Sequence, residues 1–441
     1  MIYLLTRSCP YEKLDFCATR GQFRIIRDRQ TGVTMDWASG GQILGKGPTL
    51  ARGTTQNGVR LYNERLALSL IRRHGSLPKA EIARLTGLSA QTVSVIVRQL
   101  ETDQLLVKEK PQRGKVGQPL VPFSLNPDGA FSIGLKVGRR SGDLMLLDLT
   151  GKVRRKVHQP YLFPMPERLL DFVAVGLQEL LSDLSPVQRD RICGLGIAAP
   201  FELWNWEEAV GAAHEVLEAW RDFDLIGEIA KLGDWPVHFS NDATAACAAE
   251  LLFGKGSQFH TYAYFSVGYF IGGGIVINGH VLPGKAGYAG AIGSLPLSAP
   301  DGTFRQLIHN ASLFVLENRL QAAGLDHMVL ARSPDDWGNI GPELNIWLEQ
   351  TAKFLAHAAV SAMSVIDFEA VIIDGAMPAK VRASLVLRTR EALKQQDLRG
   401  LPKFTIEEGS IGSDARAMGA ASLSLFANYI IDRDVLFKES F

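Results

Sequence analysis

Apolar and polar residues alternate along this chain in three distinct textures. From Asn57 the apolar residues Leu61, Leu66, Leu68, Leu70 and Ile71 recur at helical spacing until His74-Gly75, a pairing that ends a helix. The next run, KAEIARLTGLSAQTVSVIVRQL (Lys79–Leu100), places Ile82, Leu88, Val93, Ile96 and Leu100 on inward positions. Ala83 is small where two helices would cross, and Gly87 stands where the turn between them needs a left-handed residue. Ser89 is the expected N-cap of the second helix. The run therefore predicts a helix-turn-helix. With Val93, Ile96 and Leu100 inside, Ser89, Gln91, Thr92, Ser94, Val95 and Arg98 lie on or near the outer face, as residue types that contact base edges or phosphates. Leu105–Glu109 and Leu120–Leu125 then read as strands flanking QRGKVGQP (Gln112–Pro119). That stretch is a basic, Gly-bearing wing whose Arg113, Lys115 and Gln118 would meet the DNA backbone or minor groove.

The second texture starts at Phe131. Phe131–Val137, Asp143–Leu149 and Lys152–His158 read as strands, Glu167–Leu184 as an amphipathic helix and Arg191–Ala198 as a buried strand. Ala212–Leu232 contains helix, and Pro236–Ser240 is a strand feeding a helix from Asp242. A second run of the same kind opens at Tyr262. Long helices are expected at Phe304–Ala322 and Glu343–Val365, then strands at Ala370–Asp374 and Lys403–Glu407 and a closing helix from Asp414. This order predicts an α/β body of two similar lobes facing a cleft, behind an α+β winged helix.

The third texture is FSVGYFIGGGIVINGHVLPGKAGYAGAIGS (Phe265–Ser294), Gly-rich and turned at Asn278-Gly279, which is a strong hairpin signal. Gly256–Gly284 lacks Asp, Glu, Lys and Arg and is long enough for a bilayer span. Its Gly clusters, His260, His280 and the Asn-Gly turn fit a buried sheet instead. Before residue 55 no period is sustained, and residues 1–54 read as a poorly structured arm. The expected division is 1–54, then a winged helix over 55–127, then the two-lobed body over 128–441.

Charge sharpens the picture. The chain of 441 residues is nearly neutral at +1, yet Ala51–Leu120 holds twelve Lys/Arg against five Asp/Glu. A basic head on an acidic body points to nucleic acid as the head's partner. Cys9, Cys17, Cys193 and Cys247 have no paired metal spacing and predict a reduced, cytoplasmic protein without a disulfide framework. His158, His260, His280, His309 and His357 form no ligand set, and the expected metal content is none.

Five ordered segments resemble the ROK family (repressors and sugar kinases), in its transcriptional-regulator branch. They are the helix-turn-helix, GLGIAAP (Gly194–Pro200), NDATAACAAE (Asn241–Glu250), GYFIGGGIVINGHVLPGKAGYAGAIG (Gly268–Gly293), and the pair IIDGAM (Ile372–Met377) with GSDARAMGAA (Gly412–Ala421). The resemblance implies an actin-like, ribonuclease H-like two-lobed sugar-kinase fold. It implies that Asp242 occupies the general-base position, here vestigial, with Asn241 as sugar-hydroxyl partner and Gly196 in the sugar-lobe loop. Asn241-Asp242 also reads as a plain helix N-cap.

Against the family pattern, Lys136 in KVGRRS replaces a carboxylate, and Tyr269-Phe270 replace Thr-Gly in the second phosphate hairpin. Ala291 and Ser294 replace the Glu and His of Glu-Ile-Gly-His, and Leu295–Ala311 has no cysteine for zinc. Cofactors are therefore expected to be none: zinc lacks its cysteines, a cation at 136 opposes magnesium, and Phe270 obstructs approach to a phosphate. Arg139 and Arg140 could still hold an anion. The implied function is a DNA-binding regulator, a repressor of sugar transport or metabolism genes, with duplex operator DNA and a carbohydrate effector as partners and a homodimeric or homotetrameric assembly. The alternatives are an active ATP-dependent sugar kinase with a regulatory head and a ligand-blind scaffold whose lobes only dimerise.

Overall fold

Most helix-forming and strand-forming runs settle where the sequence places them, and the computed structural model describes residues 56–111, 120–201, 218–298 and 304–431. Three helices open the chain: α1 (Gln56–His74), α2 (Lys79–Thr86) and α3 (Ala90–Thr102). Gly87 ends α2 at φ 71°, and Ser89 caps α3 by accepting from the Thr92 N–H at 3.1 Å. Ile82, Val93, Ile96, Val97 and Leu100 are buried. A strand that the pattern does not reveal, β1 (Ser76–Pro78), pairs with β3 (Pro122–Leu125), which also pairs with β2 (Leu106–Lys108). Three residues are too short to display a period, so β1 exists through pairing alone. The expected wing residues Arg113, Lys115 and Gln118 lie outside the described residues, as does the expected 1–54 arm.

The first lobe carries β4 (Phe131–Val137), β5 (Ser141–Asp148), β6 (Val153–Pro160), helix α4 (Pro166–Leu181), β7 (Ile192–Ala199), β8 (Val237–Asn241) and α5 (Asp242–Phe253). Its sheet runs β6-β5-β4-β7-β8, antiparallel through β4 and parallel beyond it. The second lobe repeats this order with β9 (Tyr262–Val267), β10 (Gly272–Ile277), β11 (His280–Leu282), β14 (Ala370–Gly375) and β15 (Thr405–Glu408), arranged β11-β10-β9-β14-β15. The β10–β11 turn has Asn278 at φ 52° and Gly279 at φ 76°, the double left-handed turn expected of Asn-Gly.

One expected element is corrected. Phe304–Ala322 is not one helix. Pro296–Ser298 (β12) pairs with Phe304–Gln306 (β13), a single turn follows at Ile308–Ala311, and α6 runs only over Leu313–Ala322. Ser312 breaks the run in extended conformation. Its hydroxyl donates to Ile308 O at 2.6 Å and accepts from Ile271 N at 2.9 Å, and its carbonyl accepts from Trp347 Nε1 at 3.1 Å. Those tertiary bonds outweigh local helix propensity.

Helices α7 (Glu343–Met363), α8 (Ala379–Leu393) and α9 (Ala415–Tyr429) complete the chain. Between Ala415 and Leu425 every residue of α9 is buried. It lies against the first sheet and α5, and glycine makes the approach possible: a Cβ at Gly196 would run into the Ala420 carbonyl, and one at Gly419 into the Ala245 carbonyl. The far end of α9 enters the head. Leu425 and Ile430 share a buried cluster with Leu68, Ile71, Val97 and Leu106. Arg65 donates to Ala427 O at 2.8 Å, and Ser69 Oγ accepts from Ile431 N at 3.2 Å. Head and first lobe thus share one hydrophobic core.

Candidate functional site: a reading helix and a cationic cleft

On α3 the inward face is saturated and the outward face is polar except at one point. Gln91 and Arg98 are exposed. Val95 is 64% exposed. Thr92 Oγ1 lies 2.8 Å from Ser89 Oγ, and Ser94 Oγ accepts from Lys79 Nζ at 3.4 Å. Three of the predicted reading residues, Ser89, Thr92 and Ser94, therefore hold the helix and its neighbours in place as well as facing outward, while Gln91, Val95 and Arg98 project from one patch.

The second site is a cleft between the lobes of about 740 Å³, part of it open to solvent. Five cations line it: Lys136, Arg139, Arg140, Lys156 and Arg416. Three carboxylates face them: Asp143, Asp242 and Glu317. The Lys136 ammonium sits 2.6 Å from Ser141 Oγ and 2.7 Å from Asp143 Oδ2, and Asp143 Oδ1 is 2.5 Å from His158 Nδ1. Burial alone would raise the Asp143 carboxyl; Lys136 and His158 outweigh it and hold the group well below the usual carboxylate range. Arg140 joins the lobes by donating to Glu317 Oε1 at 2.8 Å and to Tyr269 Oη at 2.9 Å. Lys156 pairs with Asp414 at the rim.

Phe270 does not project into open space. It is 6% exposed, packed edge-on against Phe314 at 5.3 Å, with the Arg139 guanidinium 4.1 Å from its ring centre. Arg139 is partly buried. Burial pushes its guanidinium down to about 10, Asp242 opposing that shift and Arg416 adding to it.

Asn241 and Asp242 stand together at the β8–α5 junction. Asn241 is the N-cap, its Oδ1 accepting from Ala243 N at 3.0 Å and Thr244 N at 3.4 Å. Asp242 Oδ2 is 3.0 Å from Arg416 Nε, both side chains nearly buried. The Arg416 guanidinium also abuts Gly268 of the second lobe, where a Cβ would collide with it. Gly196 faces α9 and is not among the residues lining the cleft. Ala291 and Ser294 are exposed, and Trp220 is buried, donating Nε1 to Pro164 O at 2.7 Å. Sequence reasoning missed Arg416, although a lone arginine among the small residues of ARAMGAA signals a buried partner. No cluster of three His, Cys, Asp or Glu able to hold a metal occurs among the described residues. No helix among them is long and apolar enough to cross a membrane.

Residues 132–308 match the ROK family and residues 62–115 the MarR family. This chain carries a ROK family domain behind a MarR-type winged helix. An uncharacterized protein of Sinorhizobium fredii is 25% identical over 369 residues, 82% of this chain and 91% of that one. The xylose repressor of Bacillus spizizenii is 26% identical over 242 residues, 55% of this chain and 62% of the repressor, so this chain spans less than two thirds of that relative. A crystal structure of a ROK family transcriptional regulator, a homolog of the Escherichia coli MLC protein, superposes with a TM-score of 0.60 at 20% identity, covering 86% of this chain and all of the other. At that identity the likeness is one of fold: the actin-like two-lobed architecture with a winged helix ahead of it.

Proposed function

We propose that this ROK chain is a cytoplasmic DNA-binding transcriptional regulator, a repressor of sugar transport or metabolism genes, whose two-lobed body senses a carbohydrate. The observation that carries this reading is α9. Its first turn holds Asp242 in the cleft through Arg416, and its last turn belongs to the core of the head. A ligand that changes the cleft therefore acts on the same helix that seats α3. It must favour one arrangement over the other, or the head does not respond. Asn241 and Asp242 would meet sugar hydroxyls, and Ser89, Gln91, Thr92, Ser94 and Arg98 would meet DNA. In a homodimer, twofold-related α3 helices would read half-sites about 34 Å apart or a multiple of that.

Selecting bound fragments from genomic DNA, with and without sugars, tests the reading. Recovery of discrete promoter fragments whose retention changes with one sugar is expected; indifference to every fragment ends it. The kinase reading retains one observation in its favour, an aspartate lining the cleft. Against it stand the Arg416 ion pair on that aspartate and the Lys136–Asp143–His158 cluster. ADP release over a panel of sugars, abolished by Asp242→Asn, would establish the kinase instead.

A further inference from the structure

The outward face of α3 carries one side chain to which polar reading of DNA gives no task. Gln91, Val95 and Arg98 follow one another a turn apart along it, all exposed. Exposure alone assigns nothing, since Val175, Val187 and Val365 are comparably open on other parts of the molecule. Position is what counts. Val93, Ile96, Val97 and Leu100 seat α3 on the core of the head, so the outward stripe is held in one orientation. Its remaining members are engaged along the helix: Gln99 Nε2 donates to Asp103 Oδ1 at 2.9 Å, and Thr102 Oγ1 donates to Arg98 O at 2.9 Å. Gln99, a turn beyond Val95, is thus drawn toward the helix end, and Val95 stays 64% exposed. A β-branched side chain in a helix has one strongly preferred rotamer, so Val95 presents an apolar knob of fixed shape.

We propose that Val95 determines sequence specificity by packing on the 5-methyl group of a thymine in the major groove, at a base pair between those approached by Gln91 and Arg98. This rests on reading the head as a DNA-binding element with α3 in the groove. The surroundings suit a polyanion: Ala51–Leu120 holds twelve Lys/Arg against five Asp/Glu. A valine side chain neither donates nor accepts a hydrogen bond, so it cannot grip a phosphate or the polar edge of a base. The thymine methyl is the apolar group that the major groove displays. Set against a purine instead, Val95 would strip water from N7 or O6 without replacing its hydrogen bonds, which costs affinity. One side chain therefore favours thymine and disfavours its competitors. The flanking residues fix the register. Helical rise separates Gln91 from Val95 by about 6 Å and Val95 from Arg98 by about 4.5 Å, while bases stack about 3.4 Å apart. The thymine thus lies within about two base pairs of the base met by either neighbour.

The test uses the full chain and a promoter fragment recovered by the genomic selection, resynthesised with each thymine in turn replaced by uracil. That exchange removes one methyl and keeps the base pairing. Fluorescence anisotropy should reveal one thymine per half-site whose methyl matters, its loss weakening binding roughly fourfold, the worth of one buried methyl-sized group. Val95→Ala should weaken the thymine duplex by a similar factor and bind the thymine and uracil duplexes equally at that position. Val95→Thr, which keeps the branched shape and one γ-methyl, should retain part of the discrimination. Both variants should melt at the wild-type Tm, because the side chain they alter is exposed. A wild-type protein indifferent to uracil at every thymine, or discrimination that survives intact in Val95→Ala, overturns the inference and leaves the DNA-reading role standing. A changed mass by light scattering in Val95→Ala, with uracil sensitivity unaltered, assigns the side chain to a contact between copies and also overturns it. Recovery of no discrete fragment overturns both the inference and the reading on which it rests.

Discussion

At the scale of single residues, exposure and charge separate the side chains that meet partners from those that hold the fold. Arg98 is exposed on α3 with no structural duty for its side chain among the described residues. Arg98→Ala should weaken binding to a selected promoter fragment by about 1–3 kcal/mol, read by fluorescence anisotropy, while Arg113→Ala should lower the salt slope by about 1 without altering sequence preference. His238 has a different signature. It is 4% exposed on β8, opposite Gly196, with neither ring nitrogen bonded among the described residues, and burial pushes its pKa down to about 4. The unfolded chain takes up a proton near pH 6.5 and the folded chain does not. Stability is therefore full above that pH and falls as the pH drops toward 4, by up to about 3 kcal/mol. His238→Phe should flatten that slope in denaturant melts run across the interval. Arg98 was legible because a helical period states which face it occupies. Arg416 was not, since its partner Asp242 lies in a different element and only folding joins them.

At the scale of elements, most of the structure was legible where a segment carries its own period or its own turn. The α2–α3 pair, the β10–β11 hairpin and all five strands of the first sheet stood within a few residues of expectation. The misses share a cause. β1 is three residues long and exists because β3 needs a partner on that side, and the supposed long helix at Phe304 breaks because Ser312 is claimed by Ile271 and Trp347. In both, pairing distant in sequence overrides local preference. Close packing of α9 gives the sharpest element-scale prediction. Gly419→Val forces a branched side chain into the Ala245 backbone, which a rotamer change cannot relieve. A loss of about 1–3 kcal/mol or more is expected, read as a lowered Tm in the absence of DNA.

At the scale of the molecule, the two sheets share one strand order, and the cleft between them is laced by Arg140–Glu317, Arg140–Tyr269 and Arg416–Asp242. The head does not hang from this body on a linker. Its core includes Ala130, Leu149, Leu425 and Ile430. A fragment of residues 56–130 should therefore melt below the whole chain, and its α1 amides should exchange faster with deuterium than in the full protein. Equal protection would mean the head is self-sufficient.

That shared core also bears on synthesis. Arg65 and Ser69 of α1 find their partners at Ala427 and Ile431, 362 residues later in each case. Contacts of such sequence separation form late. While the ribosome is still working through the lobes, α1 lacks these partners and the head's core is unfinished. On the proposed function, a prematurely terminated chain is then a poor competitor for DNA, and reading is reserved for copies that also possess the whole two-lobed body.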